Sequence, residues 1–374
     1  MMTTNSARVV VVTSSDDFYG ADKICSQVVA AISRLDRVDV DVWVPDDTQS
    51  KDQSRLSQNR LEPSRRFVMK MPIVRRSYLT PIGVLRLSRR CASIVGELRR
   101  NEIDVIYLGT SACLLLGFLA RLCGVRQIVF HMQEIWTGRE GQIMALLARS
   151  ATEIICISGA AADSLPLALR SRATVVANAV AGPEISPGAR VLGHPKTFLI
   201  ASRWNSWKGH NTLLAAWGRV GSGKRLIILG GPPEVGTQTD VKALVARLAN
   251  SETVEVIGEV SNIAEHLRRV DFMVVPSDKP EPFGLVAIEA MSVGVPVIGS
   301  KGGGLAEIVD DGRTGYLFTI GDEQELAAVI EKAGNSDYTE MSRSALSDFK
   351  SRFSLENFNN EIATVFLRAL EIAS

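Results

Sequence analysis

The sequence predicts an α/β protein built from two doubly wound parallel sheets, and three observations carry that prediction. Short Val- and Ile-rich runs alternate with helical stretches from end to end. The runs are continuous rather than alternating in polarity, and the alternation restarts after a Gly- and Pro-rich stretch in mid-chain. Continuous apolar strands belong to parallel sheets covered on both faces, with the intervening helices as crossovers. A chain of 374 residues, 46% of them hydrophobic, is long enough for two cores.

Taken in order, residues 8–13 form a β-branched run, a helix follows over 20–35, and a second strand covers 38–44. Further strands are expected at 103–108, 127–131, 153–157 and 174–176. The second series falls at 197–201, 225–229, 253–256, 272–275, 296–298 and 315–318. Phe353, Leu355, Phe358, Ile362, Val365, Phe366 and Leu370 recur at helical spacing, so a last amphipathic helix covers 353–371. The expected division is a first domain over 1–180, a linker over 181–196, a second domain over 197–350, and a helix over 351–374 that crosses back to the first. Two such halves imply a cleft, because open α/β sheets bind ligands beyond the carboxyl ends of their strands.

Bulk properties narrow the function classes. A net charge of +1 gives no general nucleic-acid or membrane signal, and no apolar run approaches the 18 residues of a spanning helix. Residues 1–7 are short and polar, which reads as the absence of a secretory signal. Five scattered cysteines in apolar segments, Cys25, Cys91, Cys113, Cys123 and Cys156, read as buried thiols of a reducing, cytoplasmic compartment. Charge is unevenly spread, however. Residues 51–100 hold thirteen Lys or Arg against three acidic residues, a local +10 interleaved with Phe67, Val68, Met69, Ile73 and Leu85. Such a surface suits an anionic membrane or an anionic acceptor, while its few aromatics disfavour nucleic acid. Its bland alternative is a solvated helix face and a polar loop.

The chemistry concentrates in the second half. Glu281-Pro-Phe-Gly-Leu-Val-Ala-Ile-Glu289 places two carboxylates around a helix expected over 283–293. At 1.5 Å per residue they lie about 12 Å apart along its axis. Between them the free N–H groups of the first turn suit phosphate. Arg203 and Lys208 lie five residues apart in the loop after the first strand of this half, where two cations neutralise a departing diphosphate. Gly302-Gly303-Gly304 lets backbone N–H groups approach phosphate, whereas Gly230-Gly231-Pro232-Pro233 reads as a plain turn. Asp39-Val40-Asp41 has the look of a metal motif, but its alternation with Val38, Val42 and Val44 marks a strand with a polar face, and no metal is expected.

Arg203…Lys208-Gly209, Glu281-Pro-Phe-Gly…Glu289 and Gly302-Gly-Gly-Leu-Ala-Glu307…Asp311-Gly312…Gly315, in that order, resemble the retaining family-four glycosyltransferases of the GT-B fold. The likeness extends more loosely into the first half through Tyr19-Gly20-Ala21-Asp22, His131 and Asn178-Ala179-Val180. It implies a hexosyltransferase using a UDP- or GDP-sugar, with no cofactor beyond that co-substrate, acting on a cell-surface glycan, glycolipid or lipid-linked acceptor in polysaccharide biosynthesis. Glu289 would hold the ribose hydroxyls and Glu281 a hydroxyl of the donor sugar. Arg203 and Lys208 would grip the diphosphate, and backbone groups of Phe283, Gly284 and Leu285 would meet phosphate or sugar oxygens. His131 would face the transferred sugar, and Gly20 would close on the diphosphate. The family often carries two adjacent glycines there, and Tyr19 replaces the first.

Two other classes share this two-domain pattern: a nucleotide-sugar epimerase, separable by product analysis without acceptor, and a catalytically silent nucleotide-binding scaffold. A dinucleotide dehydrogenase is disfavoured because no Gly-x-Gly-x-x-Gly follows residues 9–12.

Overall fold

A computed structural model describes residues 6–15, 20–47, 65–75, 78, 80–182, 195–233 and 236–373. Its contacts divide into two units, Met1–Asn178 with Leu355–Ser374, and Ala179–Ser354.

In the first unit, Val9 to Val12 are wholly buried, as a strand sandwiched between helices must be. This strand, β1 (Ala7–Val12), is joined by β2 (Val38–Pro45), β3 (Arg65–Met69), β4 (Val105–Leu108), β5 (Gln127–Met132), β6 (Glu153–Cys156) and β7 (Ala173–Val175). The order is β3-β2-β1-β4-β5-β6-β7, and every pairing is parallel. The strand order reverses between β1 and β4, the point at which such sheets open toward a ligand. Helix Gly20–Ile32 buries Ile24, Cys25, Val28, Val29 and Ile32. Helix Leu355–Ala373 packs against it and belongs to the same unit, with the Phe366 ring 5.9 Å from that of Tyr107.

Strand β3 is absent from the sequence reading, which left its residues in a basic stretch. Its apolar content is too short to announce a strand, and what fixes it is tertiary. The Asp41 side chain is fully buried on β2, where it accepts from Arg8 of β1 and Arg65 of β3, at 2.6 and 2.9 Å. Asp41 is therefore not part of a solvent-facing polar edge: two guanidinium groups compensate its buried charge. Of the remaining basic residues, 51–64 lie outside those described. Residues 81–100 form helix Pro81–Arg100, started by Thr80, whose hydroxyl accepts from Gly83 N at 3.1 Å, with proline at its first position. Gly83, Ile94 and Leu98 face inward, while Ile82, Leu85, Arg86 and Arg89 share the outward face.

The second unit repeats the plan with β8 (Lys196–Ala201), β9 (Lys224–Leu229), β10 (Val254–Gly258), β11 (Phe272–Val275), β12 (Val297–Ser300) and β13 (Gly315–Phe318). Their order is β10-β9-β8-β11-β12-β13, again parallel throughout. Phe272 stacks on Phe198 at 5.7 Å, and Trp217 meets Phe198 edge-on at 5.8 Å. Truncating a buried aromatic of this kind costs about 3–5 kcal/mol. The order reverses between β8 and β11, and the loops leaving those two strands carry Lys208 and Glu281. Among the described residues no helix is long and apolar enough to cross a membrane. The cysteines divide: Cys25, Cys113 and Cys156 are buried, whereas Cys91 and Cys123 are only partly so, correcting the expectation that all five are interior.

Candidate active site

The loop after β8 ends in a 3-10 turn, Ser206–Lys208, followed by Gly209 in the left-handed region at φ 74°. A Cβ at Gly209 would lie 1.7 Å from the carbonyl oxygen of Pro276, so only glycine lets this loop touch the end of β11. Asp278 N donates to the Trp207 carbonyl at 2.8 Å, and Thr212 Oγ1 donates to Asp278 Oδ1 at 2.6 Å. The two strand ends are thereby fixed as one surface.

On that surface Lys208 Nζ lies 3.0 and 3.1 Å from the two carboxylate oxygens of Glu281 and 4.1 Å above the Trp207 ring. Ser277 Oγ donates to Glu281 Oε2 at 2.6 Å. Glu281 is 7% exposed, so its charge is held by one cation and one hydroxyl rather than by bulk water. Its backbone is engaged as well: Glu281 forms a bridge with Gly303, and Gly304 N donates to the Glu281 carbonyl at 2.8 Å. Gly303 has φ 62°, and a Cβ there would come 2.1 Å from that carbonyl oxygen. The glycine run after β12 thus serves first to seat Glu281.

The helix after Glu281 spans Leu285–Met291, preceded by Gly284 at φ 114°, rather than the expected 283–293. Glu281 accordingly stands in the loop, four residues before the helix, and Glu289 is little more than one turn inside it. The two-turn ruler read from the sequence is shorter in helix than expected, because Gly284 takes a left-handed conformation and the bridge to Gly303 keeps Glu281 out of the helix. Phe283 is 5% exposed and packs edge-on against Phe353 at 6.1 Å, so its side chain is core and only its backbone is left for a ligand. Glu289 is partly buried, and Arg203 is exposed on the β8 loop. Gly230 and Gly231 are more than a plain turn: Gly230 N donates to the Gly258 carbonyl at 2.7 Å, and Trp204 N donates to the Gly231 carbonyl at 2.8 Å. They tie the Arg203 loop to the ends of β9 and β10.

In the first unit His131 sits near the end of β5 and is wholly buried, and burial lowers it to about 3, so it is neutral near pH 7. Its Nδ1 lies 2.6 Å from the Tyr107 hydroxyl, while Nε2 has no hydrogen-bond partner among the described residues. Gly20 opens helix Gly20–Ile32, and Tyr19 falls outside the described residues. Two participants escape sequence reasoning, Ser277 and Tyr107. A serine two residues beyond an apolar strand is the available signal for Ser277. Nothing local marks Tyr107. Among the described residues no group of three or more His, Cys, Asp or Glu converges as a metal site.

Two doubly wound parallel sheets of this kind are those of the GT-B fold. Over 96% of its length the chain superposes on 99% of Anabaena HepE, solved in complex with UDP-glucose, with a TM-score of 0.76 at 22% identity. Residues 184–347 match the family described as glycosyl transferases group 1. It is 41% identical over 103 residues to N-acetyl-alpha-D-glucosaminyl L-malate synthase of Bacillus anthracis, which covers 28% of this chain and 26% of that relative. It is also 32% identical over 219 residues to D-inositol 3-phosphate glycosyltransferase of Mycolicibacterium smegmatis, covering 55% of this chain. The chain spans half or less of the length of these two relatives, 26% and 50% respectively.

Proposed function

We propose that this protein is a retaining, metal-independent hexosyltransferase that moves a sugar from a UDP- or GDP-sugar to a glycan, glycolipid or lipid-linked acceptor. The observation that carries this reading is the buried Glu281 carboxylate held between Lys208 and Ser277 at the strand ends of the second unit. A carboxylate restrained in this way presents its remaining lone pairs to sugar hydroxyls, while Lys208 and Arg203 supply positive charge for a diphosphate. Backbone N–H groups of Phe283, Gly284 and Leu285 add donors for phosphate or sugar oxygens, and Glu289 takes the ribose hydroxyls. Gly20 approaches the diphosphate and His131 a hydroxyl of the transferred sugar.

The reaction follows from these roles. The bond from the anomeric carbon to the diphosphate oxygen breaks, and a bond to the acceptor oxygen forms on the same face. The acceptor proton passes to the leaving phosphate oxygen, so the protein provides no carboxylate nucleophile. Its work is to stabilise developing negative charge on the diphosphate. Relatives named for L-malate and inositol 3-phosphate support an anionic acceptor, to which the basic character of residues 51–100 is complementary. Incubation with nucleotide-sugars and candidate acceptors tests the reading. Sugar transfer and donor hydrolysis that both survive Glu281→Ala and Lys208→Ala would sink it.

A cytoplasmic protein that docks on an anionic membrane surface is the second part of the reading. One observation supports it: Ile82, Leu85, Arg86 and Arg89 share the outward face of helix Pro81–Arg100, and Ile82 is 69% exposed. Arg65 and Arg75 are unsuitable for testing it, since they form ion pairs with Asp41 and Asp47 that help hold the fold. Co-sedimentation with phosphatidylserine vesicles should instead fall in an Arg86→Glu, Arg89→Glu double variant. Equal sedimentation of both proteins removes the membrane part and leaves the enzyme part standing.

A further inference from the structure

Tyr107 lies on β4 and His131 on the adjacent β5, with residues 108 and 130 paired across the ladder, so the two side chains meet inside the sheet of the first unit. Both residues are wholly buried, and their rings pack edge-on with centroids 5.9 Å apart. The hydroxyl-to-Nδ1 distance of 2.6 Å is that of a short, strong hydrogen bond. Tyr107 has one proton to give, Nδ1 of His131 lies within hydrogen-bond reach of it, and the Cys25 thiol is a second neighbour.

The direction of these bonds follows from acceptor strength. Burial, then the Asp22 carboxylate, push the Cys25 thiol far above its ordinary range, so it stays S–H. A thiol is a weak acceptor but retains a proton to donate, whereas an imidazole nitrogen accepts well. The phenol is also the stronger donor of the Tyr–His pair, so the bond runs from Tyr107 O–H to Nδ1. A neutral imidazole that accepts at Nδ1 carries its proton on Nε2. That nitrogen is fully enclosed and has no partner among the described residues. A buried donor left without a partner is costly, which is typical of a group whose partner arrives with a ligand.

We propose that Tyr107 is a positioning residue: it donates to Nδ1 of His131 and so holds the imidazole as the Nε2–H tautomer, ready to donate to a hydroxyl of the transferred sugar. This deepens the reading given above and rests on its assignment of His131 to that sugar. The reverse arrangement, Nδ1–H donating to Tyr107, would leave Nε2 an acceptor. It would also leave the Tyr107 hydroxyl proton only the thiol sulfur, a weak acceptor, to donate to.

Nitrogen-15 labelling of the histidines in the full chain, read by long-range proton–nitrogen correlation, reports the tautomer directly. The sequence has four histidines, so His131→Asn identifies the His131 signals. The wild type should show a single Nε2–H tautomer near pH 7, and Tyr107→Phe should shift it toward a mixture. In the same variant kcat for transfer should fall about tenfold, the size of one lost hydrogen bond, while the Kd for UDP or GDP stays unchanged. A Cys25→Ala variant should keep both the tautomer and at least half of kcat. An Nδ1–H tautomer in the wild type, or an unaltered kcat in Tyr107→Phe, overturns the proposal even if His131→Ala abolishes transfer. Full transfer in His131→Ala instead overturns the assignment of His131 to the sugar, and the proposal with it. Should Tyr107→Phe fail to fold, the wild-type tautomer alone decides.

Discussion

The two units place their strand-end side chains in opposite ways. In the second, the candidate residues are tied to one another: Lys208 and Ser277 to Glu281, and Glu281 to Gly303 and Gly304. In the first, His131 is tied to the core, through Tyr107 on the neighbouring strand. A site assembled from adjoining loops can be written as short motifs, and residues 184–347 are the part that matches a family. A site assembled from sheet neighbours leaves no such trace. Binding of the nucleotide should therefore depend mainly on loop residues of the second unit, with Gly20 the one contact assigned to the first, while transfer should depend on both.

The sharpest way to break this contrast is Lys208→Ala. It removes a cation expected at the diphosphate and strips the buried Glu281 of its counter-charge, so kcat/KM for transfer should fall by about 10²–10³-fold. A steady-state assay with the nucleotide-sugar that gives turnover checks this. A loss smaller than tenfold would mean that the Lys208–Glu281 pair is only structural.

Acid should expose what the units share. His131 lies at about 3 and His210, lowered by burial and then by the Lys208 charge, at about 4, one histidine in each unit. Both values are below the unfolded value near 6.5, so the unfolded chain binds more protons in the window between. Stability should be full above about pH 6.5 and decline as pH falls, by roughly 2 kcal/mol per histidine at pH 5. Urea midpoints at pH 7.5 and pH 5 measure it, and equal midpoints would contradict the buried neutral state of both rings.

Within the second unit the two glutamates should separate. Nucleotide Kd should rise about tenfold in Glu289→Ala, the loss of one hydrogen-bonded contact to ribose, and less in Glu281→Ala, whereas transfer suffers in both. Calorimetric titration with UDP and GDP tests the order, and a larger effect from Glu281→Ala would reverse the assigned roles. The smallest effect expected is that of Ser277→Ala. It removes the 2.6 Å bond to Glu281 but leaves Lys208 in place. Transfer should drop roughly fivefold with nucleotide affinity unchanged, and restoration by Ser277→Thr would show that the hydroxyl matters.

Much of this molecule was legible beforehand. The strand–helix alternation, the restart of the second sheet and the spacing of Arg203, Lys208, Glu281 and Glu289 are all local properties. Each depends on apolar runs or on residues a few positions apart. Glycines announce themselves in the same way, since Gly209 and Gly303 mark places where a side chain cannot fit. The helix after Glu281 is shorter than its apolar spacing predicts because the bridge to Gly303, twenty-two residues on, competes with its first turn.

What the sequence by itself determined, then, is the architecture and the loop motifs, because both rest on periodicity and on short-range backbone geometry. Tertiary structure alone decided the rest. It made a strand of Arg65–Met69 and turned Asp41 from a polar-face residue into a buried anion between two arginines. It also joined Ser277 to Glu281 and Tyr107 to His131. The reason is physical. A buried polar group must find a partner wherever the packed sheet offers one, and those partners stand side by side only after the chain has folded.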